Sequence, residues 1–111
     1  MKVIIAGGRD YRLTNEDILA LVVLDRKIQI TEVVSGGATG ADAGGEYWAY
    51  LRGIPVRKFP ANWELYGKSA GYKRNLEMAG YAEVLVAFPG GRGTDHMVAC
   101  AKERGLIVYD W

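Results

Sequence analysis

The sequence predicts an α/β fold: a minimal Rossmann-like, doubly wound sheet of about five parallel strands with helices on both faces. Three observations carry that prediction. Short apolar runs alternate with segments of helical spacing along the whole chain. The runs are continuously rather than alternately apolar, as in strands buried on both faces. Glycine clusters follow the first, second and fourth runs directly. With 111 residues, the expectation is one domain spanning the whole chain.

Val3 to Ala6 is the first strand, ended by Gly7-Gly8. Thr14 then offers an N-cap, Glu16 and Asp17 an acidic first turn, and Ile18, Leu21, Val22 and Leu24 an apolar helix face. Thr31 to Val34 is the second strand, broken by Ser35-Gly36-Gly37-Ala38-Thr39-Gly40, and Ala41 to Leu51 is a helix closed by Gly53. Ile54-Pro55-Val56 through Phe59 reads as the third strand, Pro60 to Tyr72 as irregular, and Lys73 to Met78 as a short helix. Glu83 to Phe88 is the fourth strand, Pro89 to Gly93 a glycine loop, Thr94 to Arg104 a helix stopped by Gly105, and Leu106 to Tyr109 the last strand.

Composition narrows the function classes. Half the residues are hydrophobic and 24% charged, enough to bury a core. A net charge of +1 gives no support to a nucleic-acid or membrane-surface binder from charge alone. Cys100 is the single cysteine, which excludes an internal disulfide framework and suits a reducing compartment. No run approaches the roughly 20 apolar residues of a membrane span, and the apolar start is too short for a signal peptide. A cytoplasmic protein without membrane contact is expected.

The 15 glycines against 3 prolines are the compositional oddity. Gly7, Gly8, Gly36, Gly37, Gly40, Gly90, Gly91 and Gly93 all fall where the first, second and fourth strands end. In doubly wound sheets ligands bind at that carboxyl edge, where the strand order reverses. Pro89-Gly90-Gly91-Arg92-Gly93-Thr94 follows a strand and opens a helix. Glycines there permit positive φ, so that successive amides form a nest, and the helix N-terminus adds partial positive charge, which suits a phosphate. Thr94 either caps that helix or donates its hydroxyl to the same anion. The motif is neither a Walker A nor a strict GxGxxG, and Gly67-Lys68-Ser69 is a P-loop decoy because Asn62 stands where its first glycine belongs.

Ser35 to Gly40 is a second anion-holding loop, and Asp42 beyond it either accepts from ribose hydroxyls or caps the helix. Gly44-Gly45 costs roughly 1 kcal/mol each in helix propensity, which implies close packing against the sheet or a ligand. Arg9 suits bidentate contact with phosphate, or pairs with Asp10, and Tyr11 is a candidate for stacking on a base. Asn62 to Asn75 interleaves Trp63, Tyr66 and Tyr72 with Lys68, Lys73 and Arg74, a combination that suits a base with phosphates, a lid or an oligomer interface. His96 has no partner at metal-ligand spacing and reads as a capping or surface residue, while Cys100 reads as a buried small hydrophobe. No metal and no cofactor are expected.

Val3 to Asp10, Val34 to Asp42, Phe59 to Trp63, Gly67 to Asn75 and Ala87 to Thr94 together resemble the YspA-like, cpYpsA-related branch of the SLOG superfamily, in order and over nearly the whole chain. The resemblance implies a single SLOG-like domain that binds nucleotides or nucleotide-derived ligands at its glycine-rich edge. The superfamily includes the LONELY GUY phosphoribohydrolases and the DNA-processing protein DprA, whose corresponding loop is similar to Ser35 to Asp42. The hydrolase pattern is an Arg-Lys pair ahead of PGGxGTxxE, with the arginine and the final glutamate catalytic. Arg74 matches the arginine, Asn75 replaces the lysine and Met97 the glutamate. A thioether neither carries a proton nor steadies the oxocarbenium-like charge of glycosidic cleavage.

The leading expectation is therefore binding of a nucleotide or nucleotide-derived small molecule. Its candidate residues are Gly7, Gly8, Arg9, Ser35, Gly36, Gly37, Asp42, Trp63, Lys68, Arg74, Asn75, Pro89, Gly90, Gly91, Arg92, Gly93 and Thr94. The alternative is phosphoribohydrolase-type cleavage with Arg74 and Asp95. A second alternative is DprA-like binding of single-stranded nucleic acid through Arg9, Lys68, Lys73, Arg74 and Arg92. Trp48, Tyr50 and Trp63, taken as exposed aromatics, together with the dimeric state of LONELY GUY relatives, point to a homo-oligomer.

Overall fold

A computed structural model describes residues 1–111. Its five strands are β1 (Lys2–Ala6), β2 (Glu32–Ser35), β3 (Val56–Lys58), β4 (Val84–Ala87) and β5 (Ile107–Asp110). All neighbours pair in parallel, in the order β3-β2-β1-β4-β5. The chain winds outward from β1 to β3, then returns to place β4 on the other side of β1. The reversal lies between β1 and β4, and the loops that leave those two strands flank it. Every residue of β4 is buried, as the unbroken apolar run requires.

Helices α1 (Asn15–Ile28) and α2 (Ala41–Arg52) cover one face, and α4 (Ala70–Tyr81) and α5 (Arg92–Glu103) the other. The first face buries Leu21, Leu24, Trp48 and Ala49 against Val3, Ile5, Val33, Val84 and Val86. The second buries Met78, Ala79, Met97, Cys100 and Ala101 against Ile4, Val34 and Leu85. Alternate residues of β1 thus feed opposite layers, the period-two signature of a strand. Helix α1 opens on a capping box: the Thr14 hydroxyl accepts from Asp17 N at 3.1 Å and the Asp17 carboxylate accepts from Thr14 N at 2.9 Å.

Four details differ from the sequence expectation. The stretch before α4 is helical rather than irregular: α3 (Trp63–Tyr66) is followed by a 3₁₀ turn at Gly67–Ser69, and α4 starts at Ala70. Asn62 starts α3 by accepting from Leu65 N at 3.1 Å, and buried Ala70 anchors the next turn. The third strand is shorter than expected, because Pro55 has no N–H for the ladder and contributes only its carbonyl, to Val33 N at 2.9 Å. Helix α5 begins at Arg92 with Gly91 as N-cap, two residues before Thr94, which therefore does not cap it.

Trp48 is buried at 3% exposure rather than exposed, since it faces the sheet from α2. The Gly44-Gly45 pair answers to packing. A Cβ on Gly45 would stand 2.7 Å from Ile5 Cγ2, and one on Gly44 2.8 Å from Leu13 Cγ. The two glycines let α2 sit directly on β1 and on the loop ahead of α1.

Candidate functional site

The loops after β1, β2 and β4 meet at the reversal point and enclose a cleft of about 330 Å³. Gly7, Gly8 and Arg9 come from the first loop, Ala38 from the second, Asp42 from the first turn of α2, and Gly91, Arg92, Gly93 and Thr94 from the start of α5. Arg74, Asn75 and Met78 line it from α4, and Ala6 and Met97 complete the lining. A second recess of about 400 Å³ lies beside it, lined by Gly36, Gly37, Ala38, Lys58, Pro60, Ala61, Trp63 and Arg74. Ala38 and Arg74 line both, so Arg74 stands at the waist between two lobes.

The loops interlock through the backbone. Gly8 N donates to Pro89 O at 2.9 Å, and Ala41 N donates to Gly8 O at 3.1 Å. Gly40, at φ 71°, lies so close to the first loop that a Cβ would run into the carbonyl oxygens of Gly8 and Arg9. The β4 loop works differently from the expected nest: Gly90, Gly91 and Gly93 do not adopt positive φ. Its donors are instead the first amides of α5, which have no carbonyl four residues back and no side-chain cap. A Cβ on Gly90 would collide with Thr94, whereas one on Gly91 or Gly93 would meet nothing within 4 Å. Gly91 and Gly93 therefore leave free space over an uncapped helix N-terminus carrying partial positive charge.

Arg74 is held in place. Its Nη1 donates to Gly36 O at 2.6 Å and its Nε to Asn75 Oδ1 at 3.1 Å. Gly36 has no side chain where Nη1 passes, since a Cβ there would be 2.6 Å from it. Asn75 is buried, and its Nδ2 donates to Gly93 O at 3.2 Å and lies 3.1 Å from His96 Nδ1. One amide thus braces the arginine on α4 against the first turn of α5. His96 serves that brace, with its ring 4.3 Å from the Tyr72 ring; it neither caps a helix nor stands free at the surface.

Asp42 is the only carboxylate lining either lobe, and it is 7% exposed. It accepts from Ala38 N at 3.3 Å, so it ties down the loop that precedes α2. Burial pushes its pKa up, partly offset by the N–H groups of Ala38 and Gly7 and by the Arg74 charge. Burial likewise pulls the Arg74 pKa down; Asp42 opposes that and Arg9 adds to it. The cleft carries three arginines against that one buried acid, a balance suited to an anion.

Other expected residues lie elsewhere. Ser35 is fully buried below the second recess, donating to Glu46 Oε2 at 2.5 Å and accepting from Gly37 N at 3.1 Å. Glu46 also pairs with Lys58 Nζ at 3.2 Å. Pro89 and Gly90 line a separate recess with Asp95, Val98 and Asp110, so Asp95 stands apart from Arg74. Lys68 is exposed on the 3₁₀ turn and lines neither lobe. Lys73 lies over the Tyr66 ring, 4.7 Å from its centroid. Tyr11 lines neither lobe: it stacks on Phe88 with centroids 5.6 Å apart, and its hydroxyl donates to Asp17 at 2.7 Å. Arg9 forms no ion pair with Asp10.

Sequence reasoning missed Lys58, Pro60 and Ala61 as lining residues. Lys58 ends a strand on the glycine-rich edge, a position that was legible as a ligand-edge residue. Met78 carried no signal beyond its helix, whereas Ala38 was covered by the reading of Ser35 to Gly40 as an anion-holding loop. Among the described residues no three His, Cys, Asp or Glu side chains cluster as metal ligands would, and no helix is long and apolar enough to cross a membrane.

Comparison with known proteins identifies the family. The sequence pattern of the YAcAr family, described as the YspA, cpYpsA-related SLOG family, matches residues 1–66. The Gene 61 protein of Mycobacterium phage D29 is 40% identical over 121 aligned positions, covering 99% of this chain and 95% of that protein. No solved structure gives a significant match.

Proposed function

The chain belongs to the YspA, cpYpsA-related SLOG family, and from that premise we propose that it binds a nucleotide or nucleotide-derived small molecule in the two-lobed cleft. The observation that carries the reading is the uncapped N-terminus of α5, left open by Gly91 and Gly93 and flanked by Arg9, Arg74 and Arg92. A phosphate takes the first amides of α5 as donors, and the arginines supply charge-assisted hydrogen bonds. The planar base takes the second lobe, where Trp63 offers an aromatic face and Lys58 a donor. Arg74, already fixed by Gly36 O and Asn75, spans the two ends of the ligand without a large ordering cost.

The role is binding rather than glycosidic hydrolysis. Met97 lines the cleft, Asp95 lines another recess, and Asp42 is engaged by backbone N–H groups. In solution the protein is a homo-oligomer and works in the cytoplasm. A thermal-shift panel of nucleoside mono-, di- and triphosphates and dinucleotides tests the binding. A true ligand at a hundredfold excess over its Kd stabilises by about 2.7 kcal/mol. Flat melting curves across the whole panel overturn the proposal.

A further inference from the structure

The outer surface of the α1–α2 layer is the least explained part of the molecule. Leu19 and Val23 on α1 are 64% and 65% exposed, and Tyr47, Tyr50 and Leu51 on α2 are 64%, 79% and 64% exposed. With aromatic side chains presenting about 150–250 Å² each, these five offer on the order of 600 Å² of apolar surface. Summed over the two helices, that approaches the roughly 800 Å² per partner of a standard interface.

The charges at the ends of α1 say what covers the patch. Glu16, Leu19, Val23 and Arg26 are all exposed, and at 100° per residue they lie within an arc of about 80° opposite buried Leu21. Neither Glu16 nor Arg26 is ion-paired within the chain. An antiparallel copy of α1 in the register that sets Leu19 against Val23 also sets Glu16 against Arg26, twice, because the two pairs share one midpoint in the sequence. A stripe that is apolar at its centre and oppositely charged at its ends is complementary to itself under a two-fold rotation, which is the requirement for an isologous dimer. Helix α2 runs parallel to α1 in the same layer, tied to it by the Arg52–Asp25 ion pair at 2.9 Å. The same rotation lays α2 over its own copy, and its exposed Tyr47, Tyr50 and Leu51 bring no charge into the interface.

We infer that a second copy of this chain covers the α1–α2 face, packing helix on helix about a two-fold axis at the middle of α1. The inference rests on the homo-oligomer reading and gives it a surface. That surface lies on the sheet face opposite α4, which carries Arg74, so nucleotide binding does not depend on it.

The test is sedimentation equilibrium of the full chain from low micromolar to about 100 μM, with circular dichroism as a check on folding. The expected result is a dimer of twice the 12.2 kDa chain mass. Leu19→Asp, Glu16→Arg and Arg26→Glu are expected each to weaken it by about tenfold or more while leaving the fold intact, because all three positions are exposed. The double variant E16R/R26E restores opposite charges across the axis and is expected to return the dimer to about the wild-type affinity. A wild type that stays monomeric over the whole range overturns both this inference and the homo-oligomer reading, and leaves the patch to a different partner. A dimer indifferent to Leu19→Asp, or a double variant no better than the single ones, overturns only the assigned surface.

Discussion

Replacing Gly93 by aspartate separates what the cleft does for the fold from what it does for a ligand. Gly93 is the second residue of α5, its φ is not positive, and a Cβ there meets nothing within 4 Å. The fold has no need of glycine at this site. Leaving glycine gains a few tenths to about 1 kcal/mol in helix propensity, and a carboxylate in the first turn adds about 0.3–1 kcal/mol through the helix dipole. The unliganded variant should therefore be more stable by about 1 kcal/mol, which raises Tm by about 4 °C for a domain of this size. A ligand phosphate on the same amides would meet the new charge at about 5 Å. At an effective dielectric near 20 that costs about 3 kcal/mol, or about two orders of magnitude in Kd. Melting curves with and without the nucleotide that stabilises the wild type read both effects at once. A less stable unliganded variant refutes the helix-end geometry, and a full wild-type ligand shift refutes the phosphate site.

Arg74→Lys keeps the charge but loses the fork that reaches Gly36 O and Asn75 Oδ1 together; calorimetric titration is expected to show affinity down by about tenfold or more. Asp42→Asn tests a buried acid whose pKa is raised by burial. A raised acid favours the folded state fully below its unfolded pKa and loses that contribution as pH rises through the folded value. Urea titrations upward from about pH 4 should therefore show wild-type stability falling relative to Asp42→Asn; a constant gap between the two curves would contradict the burial argument. Gly45→Ala forces a Cβ to 2.7 Å from Ile5 Cγ2 and should cost about 1–3 kcal/mol in denaturant melts despite better helix propensity. Gly91→Ala has open space around it but places alanine at the N-cap of α5, and denaturant melts should show a cost of about 0.5–1 kcal/mol.

The fold was largely legible because its signals are local. Unbroken apolar runs such as Val84 to Ala87 declare strands buried on both faces, and Thr14 with Asp17 declares the start of a helix. The short helical turns between Trp63 and Ser69 were hidden because aromatic and glycine content suggested a loop, while their order comes from one cap, Asn62, and from docking of the next helix. Trp48 was grouped with Tyr50 and Trp63 as an exposed aromatic, but it shares the α2 face of Gly45, which packs against Ile5 of the sheet, and is buried.

The cleft was legible at the level of loops and less so at the level of side chains. Glycines on one sheet edge gave its position, because a doubly wound topology brings those loops together. The Asn75 brace was out of reach, since adjacent helix residues do not ordinarily face one another and its partners Gly93 and His96 lie on a different helix. Tyr11 was chosen for following the first strand, and Lys68 for its place among the aromatic and basic residues of Asn62 to Asn75. Their actual surroundings, Phe88 and Asp17 for the first and solvent for the second, follow from the direction in which each loop leaves the sheet.

The central claim is that an anionic nucleotide group sits on the first turn of α5. Two-dimensional amide NMR of the labelled protein, titrated with the nucleotide that stabilises it most, tests this directly. The largest shift changes should fall on the amides of Arg92, Gly93 and Thr94, with the Arg74 Nε–H resonance moving alongside them. Saturable binding that leaves those three amides unmoved would contradict the account.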